Sequence, residues 1–272
     1  MFEVAEAYER QMGRWSRQLA PLLIEFAGVD AGERVLDVGC GTGSLSIAIA
    51  RLTAAGSIVG IDASKGFIEY ARAQNSDPRV SFELGDGQNL SYPEASFDRC
   101  VSLLVVNHIP DTPKALNEIC RVTKPGGVVA TAMWDGTGGN EFNDRMWNVA
   151  VTIDANVTPA SKRAGTYSSP AELTTLWRDA GLIEVDVTSL VMRFEYASFA
   201  DYWQRFLEGQ GPAGAYVMSL AKERREALWQ KLHQDIFGNR PDGSFSLQAK
   251  AWAVRGVVPA QQHDPNKMGT KN

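Results

Sequence analysis

The stretch Val35-Leu36-Asp37-Val38-Gly39-Cys40-Gly41-Thr42-Gly43 constrains the fold more than any other part of the chain. It reads as a short apolar strand with an acidic residue at its end, followed by a glycine turn. A helical pattern begins near Ser44. Glycine has no Cβ, so the backbone of such a turn passes close to a ligand. The helix that follows offers free N–H groups and the positive end of its dipole. The unit therefore suits a carboxylate or a phosphate in the turn. Asp37, on the strand side, favours a ligand that also carries a cation. A ligand with both charges is amino-acid-like.

Other glycine turns fit less well. The dinucleotide fingerprint G-x-G-x-x-G finds Gly39 and Gly41, but its third position is Ser44. Asp37 would also repel a pyrophosphate. The phosphate loop that ends Gly-Lys-Ser/Thr is absent, because no lysine follows Gly43. A plain tight turn between strand and helix stays open from this segment alone.

Two further strands end in the same way. Ser57-Ile58-Val59-Gly60-Ile61-Asp62 places a carboxylate about twenty residues past the turn, the spacing at which an acidic residue meets ribose hydroxyls. An ionised carboxylate accepts from both hydroxyls at once. Asp62 as a helix cap is the competing role, but Ser64 serves it for the helix from Lys65. Val80–Leu84 ends in Gly85-Asp86-Gly87, where Asp86 suits an adenine amino group and the Gly87 N–H a ring nitrogen. An ordinary turn aspartate is the competing role there. Three strands ending in Asp on one sheet edge match the place where open α/β sheets bind ligands.

Residues from about Arg34 to Asp135 resemble a class I S-adenosylmethionine-dependent methyltransferase. The resemblance rests on Val35–Gly43, Gly60-Ile61-Asp62-Ala63-Ser64, Gly85–Leu90, Ser96–Val101 and Glu118–Gly127. Within that superfamily the segment is similar to the ubiquinone/menaquinone biosynthesis subgroup of small-molecule methyltransferases. The resemblance implies an α/β, Rossmann-like seven-stranded sheet, mostly parallel with the last strand antiparallel, flanked by helices. It implies S-adenosyl-L-methionine as cofactor and S-adenosyl-L-homocysteine as product. Its cofactor contacts carry over to Asp37, Gly39, Gly41, Gly43, Asp62, Ala63, Asp86, Gly87 and Leu103. Similar N-terminal segments fold over the cofactor, which points to Tyr8 and Trp15. An NAD-linked oxidoreductase and a non-catalytic cofactor-binding module stay open as alternatives.

The outer parts of the chain match that pattern poorly. Residues 1–30 read as a helical cover, with Ala5–Arg10 and Ser16–Phe26 helical and Gly28 as the stop. The core takes 31–198 and 244–259, with 136–167 as a loop and helix insertion. A capping box at Ser169-Pro170-Ala171-Glu172 opens a helix that ends at Gly181. Ile183–Tyr196 reads as a long strand, Phe199–Leu207 and Ala213–Phe237 as two helices, and Phe245–Ala251 as the last strand. Residues 199–243 would then be a helical lid inserted near the C-terminal hairpin, and 260–272 a frayed tail.

All seven tryptophans lie outside Ser16–Met133. Their placement suggests an aromatic acceptor pocket, with Trp134, Trp203 and Tyr216 as substrate contacts, against ordinary aromatic packing. His108, just past the fourth strand, is the candidate general base, against a structural histidine. Asn107 and Asp111 find no convincing ligand partners, so no metal is expected. A net charge of −5 and a pI near 5.3 argue against a nucleic-acid footprint. No apolar run reaches the ~20 residues of a membrane span. Three cysteines, Cys40, Cys100 and Cys120, make no disulfide framework, and the N-terminus reads unlike a signal peptide. The expected partner is a small-molecule acceptor, the expected setting cytoplasmic, and the expected state a monomer or homodimer.

Overall fold

The structure, a computed structural model, describes residues 5, 6, 8–136, 138–159, 167–209 and 211–260. The expectations that fall on residues 1–4, 7, 137, 160–166, 210 and 261–272 lie outside them.

Seven strands form one sheet: β1 (Arg34–Val38), β2 (Ser57–Asp62), β3 (Val80–Leu84), β4 (Phe97–Leu103), β5 (Thr123–Trp134), β6 (Ile183–Tyr196) and β7 (Phe245–Val257). Their order is β3-β2-β1-β4-β5-β7-β6. The first five pair in parallel, and β7 runs antiparallel to both β5 and β6. Strand β1 is buried on both faces, which explains its unbroken apolar run. Val35 joins one core layer, while Leu36 and Val38 join the other. Because β1 lies between β2 and β4, the crevice beyond its carboxyl end is a topological switch point.

The helices are α1 (Arg14–Ala27), α2 (Ser44–Leu52), α3 (Lys65–Gln74), α4 (Thr112–Val122), α5 (Glu141–Val151), α6 (Pro170–Asp179), α7 (Phe199–Leu207), α8 (Gly211–Ser219) and α9 (Lys222–Phe237). Among the described residues, no helix is long and apolar enough to cross a membrane. Ser64 caps α3 by accepting from the Phe67 N–H, and the capping box at Ser169 and Glu172 forms in full. Helix α1 ends on Gly28 in a left-handed conformation. Its far end is tied to the sheet by the buried Arg99, which donates to the Ala27 carbonyl and, at 2.7 Å, to Glu33.

Three elements differ from the sequence reading. The run Ala213–Phe237 is broken at Leu220-Ala221, where Ala221 has an extended ψ of 152°. The Ser219 hydroxyl turns back onto the Tyr216 carbonyl, and Arg225 takes up the carbonyls of Met218 and Leu220. Strand β7 continues to Val257, because it pairs with β6 and β5 on its two sides. Strand β5 starts at Thr123, ahead of Gly126-Gly127, which resembles the family's turn into its fifth strand, since Thr123 already pairs with Phe97. The three helices between β6 and β7 begin at the carboxyl end of β6 and pack on that strand and on α5.

Candidate functional site

The turn Gly39–Gly43 is fastened to the end of β2. The N–H groups of Gly39 and Cys40 both donate to the Ile61 carbonyl at 2.8 Å. Gly39 has φ 73°, and a Cβ there would stand 2.3 Å from Val105 Cγ1. Asp62 closes the arrangement: its Oδ2 accepts from the Gly41 N–H at 3.0 Å and its Oδ1 from the Ser64 N–H at 2.8 Å. A carboxylate has about four acceptor sites, so each oxygen keeps capacity for a ligand. Burial raises the Asp62 pKa against the pull of these two bonds.

Asp37 is fully buried. Its Oδ2 accepts from the Ser46 hydroxyl at 2.6 Å, and its Oδ1 has no partner. Burial pushes its pKa up to about 7, with the Ser46 hydrogen bonding opposing. A buried carboxylate oxygen without a donor is costly unless a ligand supplies one. Helix α2 begins beside it on Gly43, which offers no side-chain cap; of the first-turn N–H groups that such a start leaves without a helical partner, that of Ser46 bonds to Asp37.

These groups surround a cavity of about 350 Å³, a size that holds a small-molecule ligand. Of the candidate residues, Asp37, Gly39, Gly41, Asp62, Leu103, Tyr8, His108 and Trp134 line it. Cys40, Thr42, Ser44, Leu45, Phe67 and Val105 complete much of the wall. Among the described residues, no lysine or arginine lines the cavity. Leu104, also in the wall, has φ 64°, and its N–H is held by the Ala132 carbonyl at 2.8 Å. For a leucine this left-handed conformation is uncommon and stores strain beside the site. Exposed His108 lies at the end of a 3₁₀ turn, Val106–His108. Asp111 is occupied as the cap of α4.

Other expected contacts are not among the lining residues. Gly43, Ala63 and Gly87 do not line the cavity. Asp86 is outside it too, and its carboxylate accepts from the Gln88 N–H at 2.9 Å. Trp15 stacks on Phe194 with centroids 3.8 Å apart. The reason is local. Glu9–Gly13 forms a π-helical turn running straight into α1, and its wider winding slips the phase by about one residue. Tyr8, Met12 and Ser16 therefore reach the cavity, and Trp15 turns toward β6. An eye for Tyr8, Met12 and Ser16 at four-residue spacing would have found the last two.

Trp134 does wall the cavity, with its ring edge-on to Phe142 and Phe194 at 5.7 and 5.9 Å. An ion pair of 2.7 Å between Asp135 and Lys250 pins the next residue. Trp203 instead packs among Phe199 and Phe206, and Tyr216 against Trp147. Trp203→Ala is thus expected to cost about 3 kcal/mol of stability, read as a lower melting temperature, while the cavity's ligand affinity is unchanged.

The Methyltransferase domain family matches residues 29–176. Methyltransferase GfsG of Streptomyces halstedii is 38% identical over 133 residues, 47% of this chain and 45% of that protein. The demethylmenaquinone methyltransferase of Symbiobacterium thermophilum is 28% identical, over 59% of this chain and 72% of that protein. The matches to GfsG and to a sterol 24-C-methyltransferase of Eremothecium gossypii span less than half the length of either protein. Among solved structures, a Haemonchus contortus phosphoethanolamine N-methyltransferase 2 in complex with S-adenosyl-L-methionine aligns with TM-score 0.59. It shares 19% identity and covers 96% of this chain and 58% of its own.

Proposed function

Because the chain belongs to the Methyltransferase domain family, we propose that it transfers a methyl group from S-adenosylmethionine to a small-molecule acceptor, releasing S-adenosylhomocysteine. The observation that carries this reading is the unpartnered Oδ1 of buried Asp37 beside an uncapped helix start. A free amino acid moiety answers both: its ammonium donates to Asp37, and its carboxylate accepts from the N–H groups of the turn and α2. A pyrophosphate would meet the Asp37 carboxylate instead, which disfavours the dinucleotide alternative. Asp62 offers its spare lone pairs to ribose hydroxyls. Among the described residues of the wall, the carboxylates of Asp37 and Asp62 suit a ligand carrying an ammonium and a sulfonium.

The bound sulfonium supplies an activated methyl group with its own leaving group. The protein's task is mainly to hold the acceptor in line, an effect worth about 7–11 kcal/mol. Tyr8, Met12, Ser16, Val105, His108 and Trp134 form the part of the wall left for the acceptor. Its apolar and aromatic character selects a partly apolar molecule. An acceptor that arrives as a hydroxyl or ammonium gives its proton to the His108 imidazole as the new bond to carbon forms. His108→Ala is then expected to lower kcat by about a hundredfold with the affinity for S-adenosylhomocysteine unchanged. An equal loss of both would make His108 a structural residue.

The test of the whole reading is calorimetric titration with S-adenosylhomocysteine and with NAD, followed by labelled methyl transfer to a metabolite library. Binding of NAD without S-adenosylhomocysteine would overturn it. The free cysteines accord with a cytoplasmic setting. The acidic balance accords with a small-molecule acceptor rather than a nucleic acid. The protein acts as a monomer or homodimer.

A further inference from the structure

Gly13 lies in a helical run with φ −57° and ψ −41°, a conformation any residue adopts. Its missing side chain answers to space. A Cβ there would stand 2.2 Å from Glu9 Oε2 and 2.5 Å from Glu9 Cδ. The Glu9 side chain fills that space and is only 13% exposed. Its Oε1 accepts from the Thr42 hydroxyl, in the middle of the glycine turn, and its Oε2 from Arg17. Thr42 is itself buried. It forms part of the wall between the cofactor cavity and a second cavity of about 330 Å³ outside it, which Glu9 and Arg17 line. Glu9 does not line the inner cavity, but its neighbour Tyr8 does, and the Tyr8 ring meets Phe67 at 5.3 Å.

We propose that Glu9, seated over Gly13, is a positioning residue that latches the N-terminal segment to the glycine turn and so sets how long the cofactor stays bound. This rests on the reading that the inner cavity takes S-adenosylmethionine. Helix α1 is anchored at its far end through Arg99 and Ala27. Its near end continues as a π turn, a less favourable helix than the α form. Hydrogen bonds to a charged, nearly buried carboxylate are the strong kind, and this one joins the near end of the segment to the ligand-binding turn itself. When it opens, Tyr8 and Met12 withdraw from the wall and the inner cavity opens on that side. The latch acts on ligand release and leaves the reacting atoms alone.

The glycine supplies the test. Glu9→Ala removes the carboxylate, and Gly13→Ala displaces it while keeping an allowed backbone. Each variant is expected to speed S-adenosylhomocysteine release at least tenfold in a stopped-flow chase. Each should also speed amide hydrogen exchange over residues 8–13 in the ligand-free protein, with the melting temperature nearly constant. In the Glu9→Ala background, Gly13→Ala should add nothing to release, because the side chain it displaces is gone. Additive effects of the two changes, or unaltered release from either variant, would overturn the latch. Failure of the parent protein to bind S-adenosylhomocysteine would instead remove the cofactor reading. The exchange rates of the three variants would still show whether Glu9 holds the segment.

Discussion

Asp37→Asn is expected to make the ligand-free protein more heat-stable at pH 8 and to remove most of its affinity for S-adenosylhomocysteine. The two effects share a cause. Burial lifts the carboxyl pKa from 3.8 to about 7 in the folded chain, so the folded state holds this proton more tightly than the unfolded state does. Folding then loses about 1.4 kcal/mol for each pH unit between those values, a penalty absent below pH 4 and complete above pH 7 at about 4 kcal/mol. Asparagine carries no charge and escapes the penalty. Its NH2 group, with both donors unpartnered, faces the place of the free Oδ1, which costs about 1–3 kcal/mol at every pH. Melting curves of the parent and the variant should therefore cross below neutrality, with the parent more stable in acid and the variant more stable in base.

Binding should respond in the opposite sense. A ligand ammonium needs the ionised carboxylate, so the parent's affinity should rise with pH up to about 7 and then level off. The variant should show no such dependence and a loss of at least a hundredfold. A variant whose melting temperature tracks the parent's at every pH would mean that Asp37 is ionised throughout at little cost. Burial would then not be what sets the charge of Asp37. A rise in affinity with pH beside a fall in stability would mark a trade between stability and function, in which the ligand repays an unfavourable carboxylate in the core.

Asp37 was legible in the sequence because its position settles its surroundings. A carboxylate at the end of a strand buried on both faces, followed by glycines, has few other places to go. The same reasoning carried Asp62, since strand β2 pairs with β1 in register and delivers both carboxylates to one edge. It carried less for Asp86. Strand β3 is the sheet edge beyond β2, and the turn after it closes on itself through Gln88. Aromatic composition located the variable segments but not the direction of each ring. Trp134 belongs to a strand whose end is fixed by pairing with β7, so its place at the cavity followed from topology. Trp203 and Tyr216 lie on helices whose rotation is set by tertiary packing, to which a period of 3.6 residues is blind. Trp15 was displaced by the π turn, a one-residue slip with no strong local signature. The split of α8 from α9 likewise depended on Ser219 and Arg225 capturing carbonyls, which helix propensity alone does not reveal.

Asp62→Ala is the second large expected effect, and the structure sharpens what it should do. Two hydrogen bonds from ribose hydroxyls to an ionised carboxylate are worth about 1.5–3 kcal/mol each, so affinity for S-adenosylhomocysteine should fall by roughly 10²–10⁴-fold. The same side chain also holds the N–H groups of Gly41 and Ser64, so a loss of affinity alone has two explanations. The turn itself should persist, because Gly39 and Cys40 remain bonded to the Ile61 carbonyl. Removing a carboxylate that burial disfavours also offsets part of the lost hydrogen bonding, so the melting temperature should move little. A ligand lacking one ribose hydroxyl separates the explanations. If Asp62 accepts from the ribose, the parent should bind 2′-deoxy or 3′-deoxy S-adenosylhomocysteine more weakly than the intact compound, and the alanine variant should bind them about equally. If Asp62 only shapes the turn, the deoxy ligands should lose the same affinity in both proteins. That result would place the ribose elsewhere and leave Asp62 as a support for the glycine turn that follows Asp37.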